Sequence, residues 1–422
     1  MTAIAHEQPD VMRGLRFLAG RVLPLVLWVT IACGALAFIE PSPYEFAFLV
    51  LTLVVAVRGM AVPRAILVPL IFLTVFNLGG LISLSTTEPE FEAQKFVAVS
   101  AYLGLTTIIA ALVVAEDPRR MNVVATAYIA AALLTAVAGI LGYFDVAGLG
   151  DLFSQNARAR GTFKDPNVMA PFLVMPALLL AHGILRGSLP KVIFCAGLLA
   201  PILIAILLSF SRGAWGHTLV SFALFGWLLF VTSPSQGARV RILLSAVGAI
   251  VAAALVLGAL LSVPKVAELF EVRAKLVQNY DGGAMGRFGK LTVAIPELTS
   301  RPNGFGPLQF RDYFREEPHN VYVNAFASYG WLGGFAYLGF VATTLAAGLM
   351  TALRRSPYQH YAIAAFATFS VLCMEGFVID TDHWRHFYLL AALIWGLFAA
   401  ARSAIGPASL SLPEAKRANS LR

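Results

Sequence analysis

Apolar runs of about twenty residues follow one another along almost the whole chain, and one mostly polar stretch, Pro264 to Pro318, breaks the series. Each run is close to the roughly 20 residues that a ~30 Å hydrocarbon core demands of a helix. The pattern predicts twelve spans, at 21–39, 44–57, 65–84, 96–115, 121–142, 167–185, 190–210, 213–231, 240–262, 320–350, 359–379 and 386–402. The second is short, the tenth long, and the eleventh carries an interior Glu375. Continuous runs, rather than alternating ten-residue strands, exclude a closed barrel.

Composition agrees. Of 422 residues 59% are hydrophobic and 13% charged, against about 25% charged in an ordinary soluble domain. No soluble core of this size buries so much apolar surface, so the expected class is an all-α polytopic membrane protein. Lys and Arg in short loops set the orientation. With Arg13, Arg16 and Arg21 inside, every second short loop carries a basic pair: Arg58 and Arg64, Arg119 and Arg120, Arg186 and Lys191, Arg239 and Arg241, Arg354 and Arg355. The basic tail (Arg402, Lys416, Arg417, Arg422) falls on the same side. The chain reads as a single transmembrane domain, 1–422, with a large outer loop, 264–319, inserted between spans nine and ten. The net charge of +8 is explained by basic inner loops beside an anionic leaflet of membrane lipids, so no nucleic-acid partner is expected. The first span, with A-L-A at Ala35 to Ala37, reads as an uncleaved signal anchor because further spans follow.

Six loops reach the outer side, and two are long: Tyr143 to Pro166, and Val263 to His319. In the second, Phe288, Leu291, Ile295 and Leu298 form a helical apolar stripe, opposed by Arg287, Lys290, Thr292 and Glu297. This predicts an amphipathic helix on or capping the membrane domain, kinked or ended by Pro296. The following R-P-N-G-F-G-P (Arg301 to Pro307) reads as a turn, with a phosphate cradle at Gly304 and Gly306 as the alternative.

The outer polar segments hold the candidate chemistry. His319 lies at the mouth of the tenth span. Free imidazole titrates near ~6.5, so its neutral form can accept a proton at neutral pH, and neighbouring arginines would favour that form. The competing role is a helix cap. Arg212, in the short turn after span seven, runs against the inner basic excess, and a guanidinium at headgroup depth can grip a diphosphate bidentately. The competing role is a snorkelling anchor. Arg287 is the next phosphate-binding candidate and Arg160 the one after, with Arg158 and Lys164 nearby as solvated charge. Ser211 and Asn320, beside Arg212 and His319, are supporting candidates. In D-T-D-H-W-R-H, the residues Asp380, Asp382, His383 and His386 suit either a divalent metal or a helix restart with Asp382 as N-cap. Glu375 requires a protein or water partner. Of the intramembrane histidines, His182 and His217, the latter is the closer candidate to the site. Cys33, Cys195 and Cys373 read as small hydrophobes. No Walker loop or dinucleotide fingerprint is present, so no cofactor is expected.

The runs G-T-F-K-D-P-N-V-M-A, L-S-F-S-R-G-A-W and P-H-N-V-Y-V-N-A-F-A-S-Y-G-W-L-G-G resemble those of the O-antigen ligase and O-antigen (exopolysaccharide) polymerase superfamily, over about Gly161 to Gly339. The resemblance implies a metal-independent, inverting glycosyltransferase at the outer face of the bacterial inner membrane, with a fold similar to the GT-C-like membrane-embedded glycosyltransferases. The implied donor is a glycan on undecaprenyl diphosphate. The implied acceptor is lipid A core for a ligase, or another lipid-linked repeat for a polymerase; the reading leans to a ligase. The family's diphosphate-binding arginines fall on Arg212 and Arg287, with Arg160 aligned more loosely, and its histidine falls on His319. The chain departs from the pattern in D-T-D-H-W-R-H, for which no family role carries over. The alternative of another class, a polysaccharide or lipid transporter or flippase, is disfavoured by sparse ionisable groups in the spans and no obvious internal repeat.

Overall fold

The structure, a computed structural model, describes residues 10–39, 41–88, 90–274 and 289–403. Arg287 and the tail residues Lys416, Arg417 and Arg422 lie outside the described residues. Among those described, ten helices are long and apolar enough to cross a membrane: Val11–Cys33, Arg64–Leu84, Phe91–Glu116, Pro118–Tyr143, Pro166–Arg186, Leu189–Leu208, Arg212–Thr232, Gln236–Leu261, Val321–Leu353 and Arg385–Ser403. The other two expected spans are also helices, Pro43–Arg58 with 16 residues and Gln359–Glu375 with 17. At 1.5 Å per residue they reach about 24 and 26 Å, less than the ~30 Å core. The one sheet among the described residues is a hairpin pairing Ser154–Gln155 with Arg158–Ala159. Its turn residues Asn156 and Ala157 both have positive φ, as a type I′ turn requires.

The helices pack as lipid-solvated bodies do. Gln236–Leu261 buries none of its residues, and Leu243, Leu244, Ile250 and Leu255 are all more than half exposed. In water each such side chain would forgo roughly 1.5–3 kcal/mol of burial, so lipid is the solvent of this face. In the centre, Val321–Leu353 crosses Leu67–Leu84 at small residues. A methyl added at Gly79 would lie 2.6 Å from the Gly333 nitrogen and 2.7 Å from the Tyr329 carbonyl. Beside it Phe76 stacks on Tyr329 at 4.0 Å.

Helix ends sort onto two faces. On one, Arg58 and Arg120 both hold Glu116, at 2.9 Å and 2.6 Å, and His182 stacks on His360 at 4.4 Å. On the other, Arg385 pairs with Glu45, the Ser83 hydroxyl donates to the Asn303 carbonyl at 2.7 Å, and the Lys265 ammonium donates to the Tyr143 carbonyl at 2.7 Å. The first set comprises loops expected inside and the second comprises loops expected outside. The alternation inferred from basic pairs is therefore carried by contacts between helix ends. The second set is called the loop face below.

Two features of the long loop refine the sequence reading. Gly330 breaks the helix Val321–Leu353 with φ 64 and ψ −171, a region essentially reserved for glycine. The Trp331 N–H then donates to the Pro302 carbonyl at 2.8 Å, and the Phe305 and Gly306 N–H groups donate to the Ala327 carbonyl. R-P-N-G-F-G-P is thus a turn that buttresses the break, and its amides are spent there rather than on a phosphate. The loop helix Gly289–Leu298 buries Lys290, Ala294 and Leu298, while Ile295 is 51% exposed. The expected face is corrected by one ion: the Lys290 ammonium donates to the Glu317 carbonyl at 2.6 Å and lies 3.4 Å from Glu316 Oε2. A buried cation with such partners turns the helix away from its apolar stripe.

Gly79→Ala is expected to destabilise the protein by about 1–3 kcal/mol, because the backbone it meets has no room to yield. Thermal unfolding in detergent checks this, with Gly226→Ala, which meets nothing within 4 Å, as a neutral control.

Candidate active site

The segment S-F-S-R-G-A-W is built so that one helix ends and the next begins within three residues. Ser209 Oγ donates to the Ile206 carbonyl at 2.6 Å and accepts from the Ser211 N–H at 3.3 Å. Phe210 turns the chain at φ 47. Ser211 is the N-cap of Arg212–Thr232, its hydroxyl accepting from the Ala214 N–H. Trp215 Nε1 closes the other side by donating to the carbonyls of Ile206 and Leu207. Arg212 therefore sits half-buried in the first turn of a helix, where backbone amides and the helix dipole already favour an anion. Gly213 has a local reason as well: a methyl there would lie 2.8 Å from Glu375 Oε1.

The arginines of the other long loop each bind backbone carbonyls. Arg158 donates through Nε to the Ser209 carbonyl at 2.7 Å and through Nη2 to Asn167 Oδ1 at 2.8 Å. It braces the turn that carries Arg212, a role that its reading as solvated charge missed. Arg160 donates through Nη2 to the carbonyls of Asp151 and Leu152 within its own loop.

At the opposite side of the long loop, Asn320 is the helix cap. Its Oδ1 accepts from the Tyr322 and Val323 N–H groups, both at 3.1 Å, and its Nδ2 donates to the Phe377 carbonyl. Because Asn320 performs the capping, His319 does not. His319 takes a left-handed conformation, φ 51, and its N–H donates to Asp380 Oδ2 at 3.1 Å. Its ring is 40% exposed, with Nδ1 3.9 Å from Asp380 Oδ2 and Nε2 3.9 Å from Glu316 Oε2. Two carboxylates therefore flank the imidazole. Glu316 in turn faces Lys290, so the helix that follows Arg287 in the chain packs beside His319.

The strap Asp380–His386 supplies structure that motif reading did not assign. Burial, then the charges of Asp382 and Glu317, push the Asp380 carboxyl up to about 7, against the N–H bonds from His319 and Asn320. Burial also raises the Glu317 carboxyl above its ordinary value. Asp382 is buried and accepts from Asn324 Nδ2 at 3.2 Å and His383 Nδ1 at 3.1 Å. It does not cap the last helix, which begins at Arg385. Burial would lower the His383 imidazolium, but the Asp382 charge and hydrogen bond and the Phe96 carbonyl, 3.0 Å from Nε2, raise it overall. Among the described residues no three His, Cys, Asp or Glu side chains converge as a metal site.

One helix end joins the two arginine- and histidine-bearing segments. Glu375, at the end of Gln359–Glu375, pairs with His217 Nδ1 at 2.8 Å, which seats the Arg212 helix. Immediately after it, the Gly376 carbonyl accepts from the Val321 N–H at 2.8 Å, and the Cys373 carbonyl accepts from Tyr322 Oη at 2.6 Å, which seats the His319 helix. The Arg212 and His319 segments thus both contact one helix end. The loop face also holds a cavity of about 680 Å³ whose wall includes Trp384 and His386 but neither Arg212 nor His319.

The fold and this gathering of charge at one face define a polytopic helical membrane protein with a polar site at its helix ends. Residues 197–338 match the O-antigen ligase family, and the stretch contains both Arg212 and His319, so the resemblance carried by S-R-G-A-W and P-H-N is borne out. The match supports a membrane glycosyltransferase of the O-antigen ligase and polymerase type. No curated protein matches the chain.

A carboxyl raised by the fold contributes stability below its ordinary ~3.9 and loses it as pH rises through about 7. Asp380→Asn is therefore expected to raise the unfolding midpoint at pH 8, with the gain shrinking toward pH 5. Melting curves at the two pH values check the sign.

Proposed function

We propose that the protein transfers a glycan from undecaprenyl diphosphate to an acceptor hydroxyl at the periplasmic face of the bacterial inner membrane, with inversion and without a metal. The observation that carries this reading is that the Arg212 and His319 segments both contact the Glu375–Gly376 turn. His319 takes the proton of the acceptor hydroxyl as its oxygen attacks the anomeric carbon. The bond from that carbon to the diphosphate oxygen breaks, and the electron pair leaves with the diphosphate. Arg212, with Arg287 and Arg160 as further ligands, stabilises the charge that builds on the leaving group. Glu316, 3.9 Å from Nε2, favours the imidazolium that results.

On this reading the termini are cytoplasmic, and Ser211 and Asn320 act as caps that fix their neighbours. The acceptor is lipid A core if the enzyme is a ligase, our preferred form; a lipid-linked repeat would make it a polymerase of O-antigen or exopolysaccharide. The polar groups near the site favour a reaction over transport, since the ionisable groups described are gathered at helix ends rather than strung along a midplane path.

With purified protein and lipid-linked oligosaccharide, His319→Ala is expected to lower turnover by ~10²–10⁴-fold, the usual worth of a general base, with donor binding retained. Arg212→Lys keeps the charge but loses the bidentate fork, and is expected to lower kcat more than it weakens donor binding. Turnover unchanged by a chelator is the third expected result. In a deletion strain, accumulation of free lipid-linked polymer indicates a ligase, and single-repeat product indicates a polymerase.

A further inference from the structure

The cavity beside the strap is walled by neither Arg212 nor His319. Its volume, about 680 Å³, falls within the ~300–1,000 Å³ usual for small-molecule pockets. Aromatic rings of Phe96, Tyr102 and Trp384 contribute to its wall, with Glu92, Lys95 and His386 among the polar residues. Two buried polar atoms in that wall, Tyr102 Oη and His386 Nε2, have no hydrogen-bond partner among the described residues, and His386 is only 3% exposed. Buried polar atoms are paired in nearly all proteins; these two are closed off from the cavity itself, and the half-exposed Glu92 and Lys95 are the polar groups in the wall that a ligand reaches.

The charges in the wall are of both signs and balanced, Glu45, Glu92 and Asp165 against Lys95, Lys164 and Arg385. Lys95 lies 3.7 Å from Glu92, and Arg385 pairs with Glu45. Such a balance does not select a phosphate, which would call for uncompensated cations. Acidic and basic groups beside aromatic rings suit a neutral ring with polar edges and apolar C–H faces. Rigidity is present too, since His383 stacks on Phe96 at 3.8 Å while its ring nitrogens face Asp382 and the Phe96 carbonyl.

We propose that this cavity binds a saccharide ring. The strap gives it a direct connection to the candidate active site, because Asp380 receives the His319 N–H and the next few residues wall the cavity. Its part in turnover rests on the transferase reading, in which the ring belongs either to the donor's glycan or to the acceptor's; binding itself does not.

The test uses the full chain in lipid nanodiscs and a panel of probes, the methyl glycosides of glucose, galactose and N-acetylglucosamine. At least one is expected to change tryptophan emission saturably, with the change lost in Trp384→Phe and the affinity about tenfold weaker in Glu92→Ala, as for one lost charged hydrogen bond. No saturable change with any glycoside, or an equal change in Trp384→Phe, overturns the proposal. In turnover assays Glu92→Ala raises KM for the donor if the donor's glycan occupies the cavity, and for the acceptor if the acceptor's does. Glycoside binding in a protein that transfers nothing would leave this site standing and overturn the transferase instead.

Discussion

The buried contact between Glu375 and His217 is the constraint around which the loop face is organised. A carboxylate deep in a bundle is costly unless it is partnered, and its partner lies on the helix that Arg212 opens. The same turn presents the Gly376 carbonyl to the helix that His319 precedes. One short stretch therefore fixes two distant parts of the chain against each other. Neither Arg212 nor His319 needs a direct mutual contact for this, since each is held by the backbone that carries it.

Around that turn side chains satisfy backbone groups left open at helix ends, as a lipid surround requires. Ser211, Asn320 and Trp215 complete helix ends, and Arg158 braces the Ser209 carbonyl. The break at Gly330 is tolerated because R-P-N-G-F-G-P supplies the amides that the interrupted helix lacks. Helices with wholly exposed apolar faces, such as Gln236–Leu261, need no such fittings.

The span pattern was legible from sequence because a twenty-residue apolar run has few other uses, and the basic pairs gave the alternation of loops. Arg212 and His319 draw notice in the sequence because a cation or imidazole on the sparsely charged side stands out. What sequence hid was partnership. Lys290 read as a polar-face lysine, because nothing local shows that Glu316 and the Glu317 carbonyl will meet it. Asp382 read as a cap, because its tie to Asn324 spans 58 positions. Asp380 looked like half of a metal pair until the His319 N–H was seen against it. Arg158 and Arg160 were indistinguishable by spacing, and only the hairpin separates their directions.

In chemical terms, the segments that carry an imidazole and a guanidinium both contact one helix end. The central claim is that the loop face looks outward and that the donor sits between the two residues. Labelling of His319→Cys by a membrane-impermeant maleimide in intact spheroplasts tests it most directly, with Arg58→Cys as the opposite-face control. The account predicts rapid labelling at position 319, none at 58, and slowing at 319 when lipid-linked glycan is supplied. Labelling at 58 with protection of 319 from the outside reagent regardless of donor would contradict it.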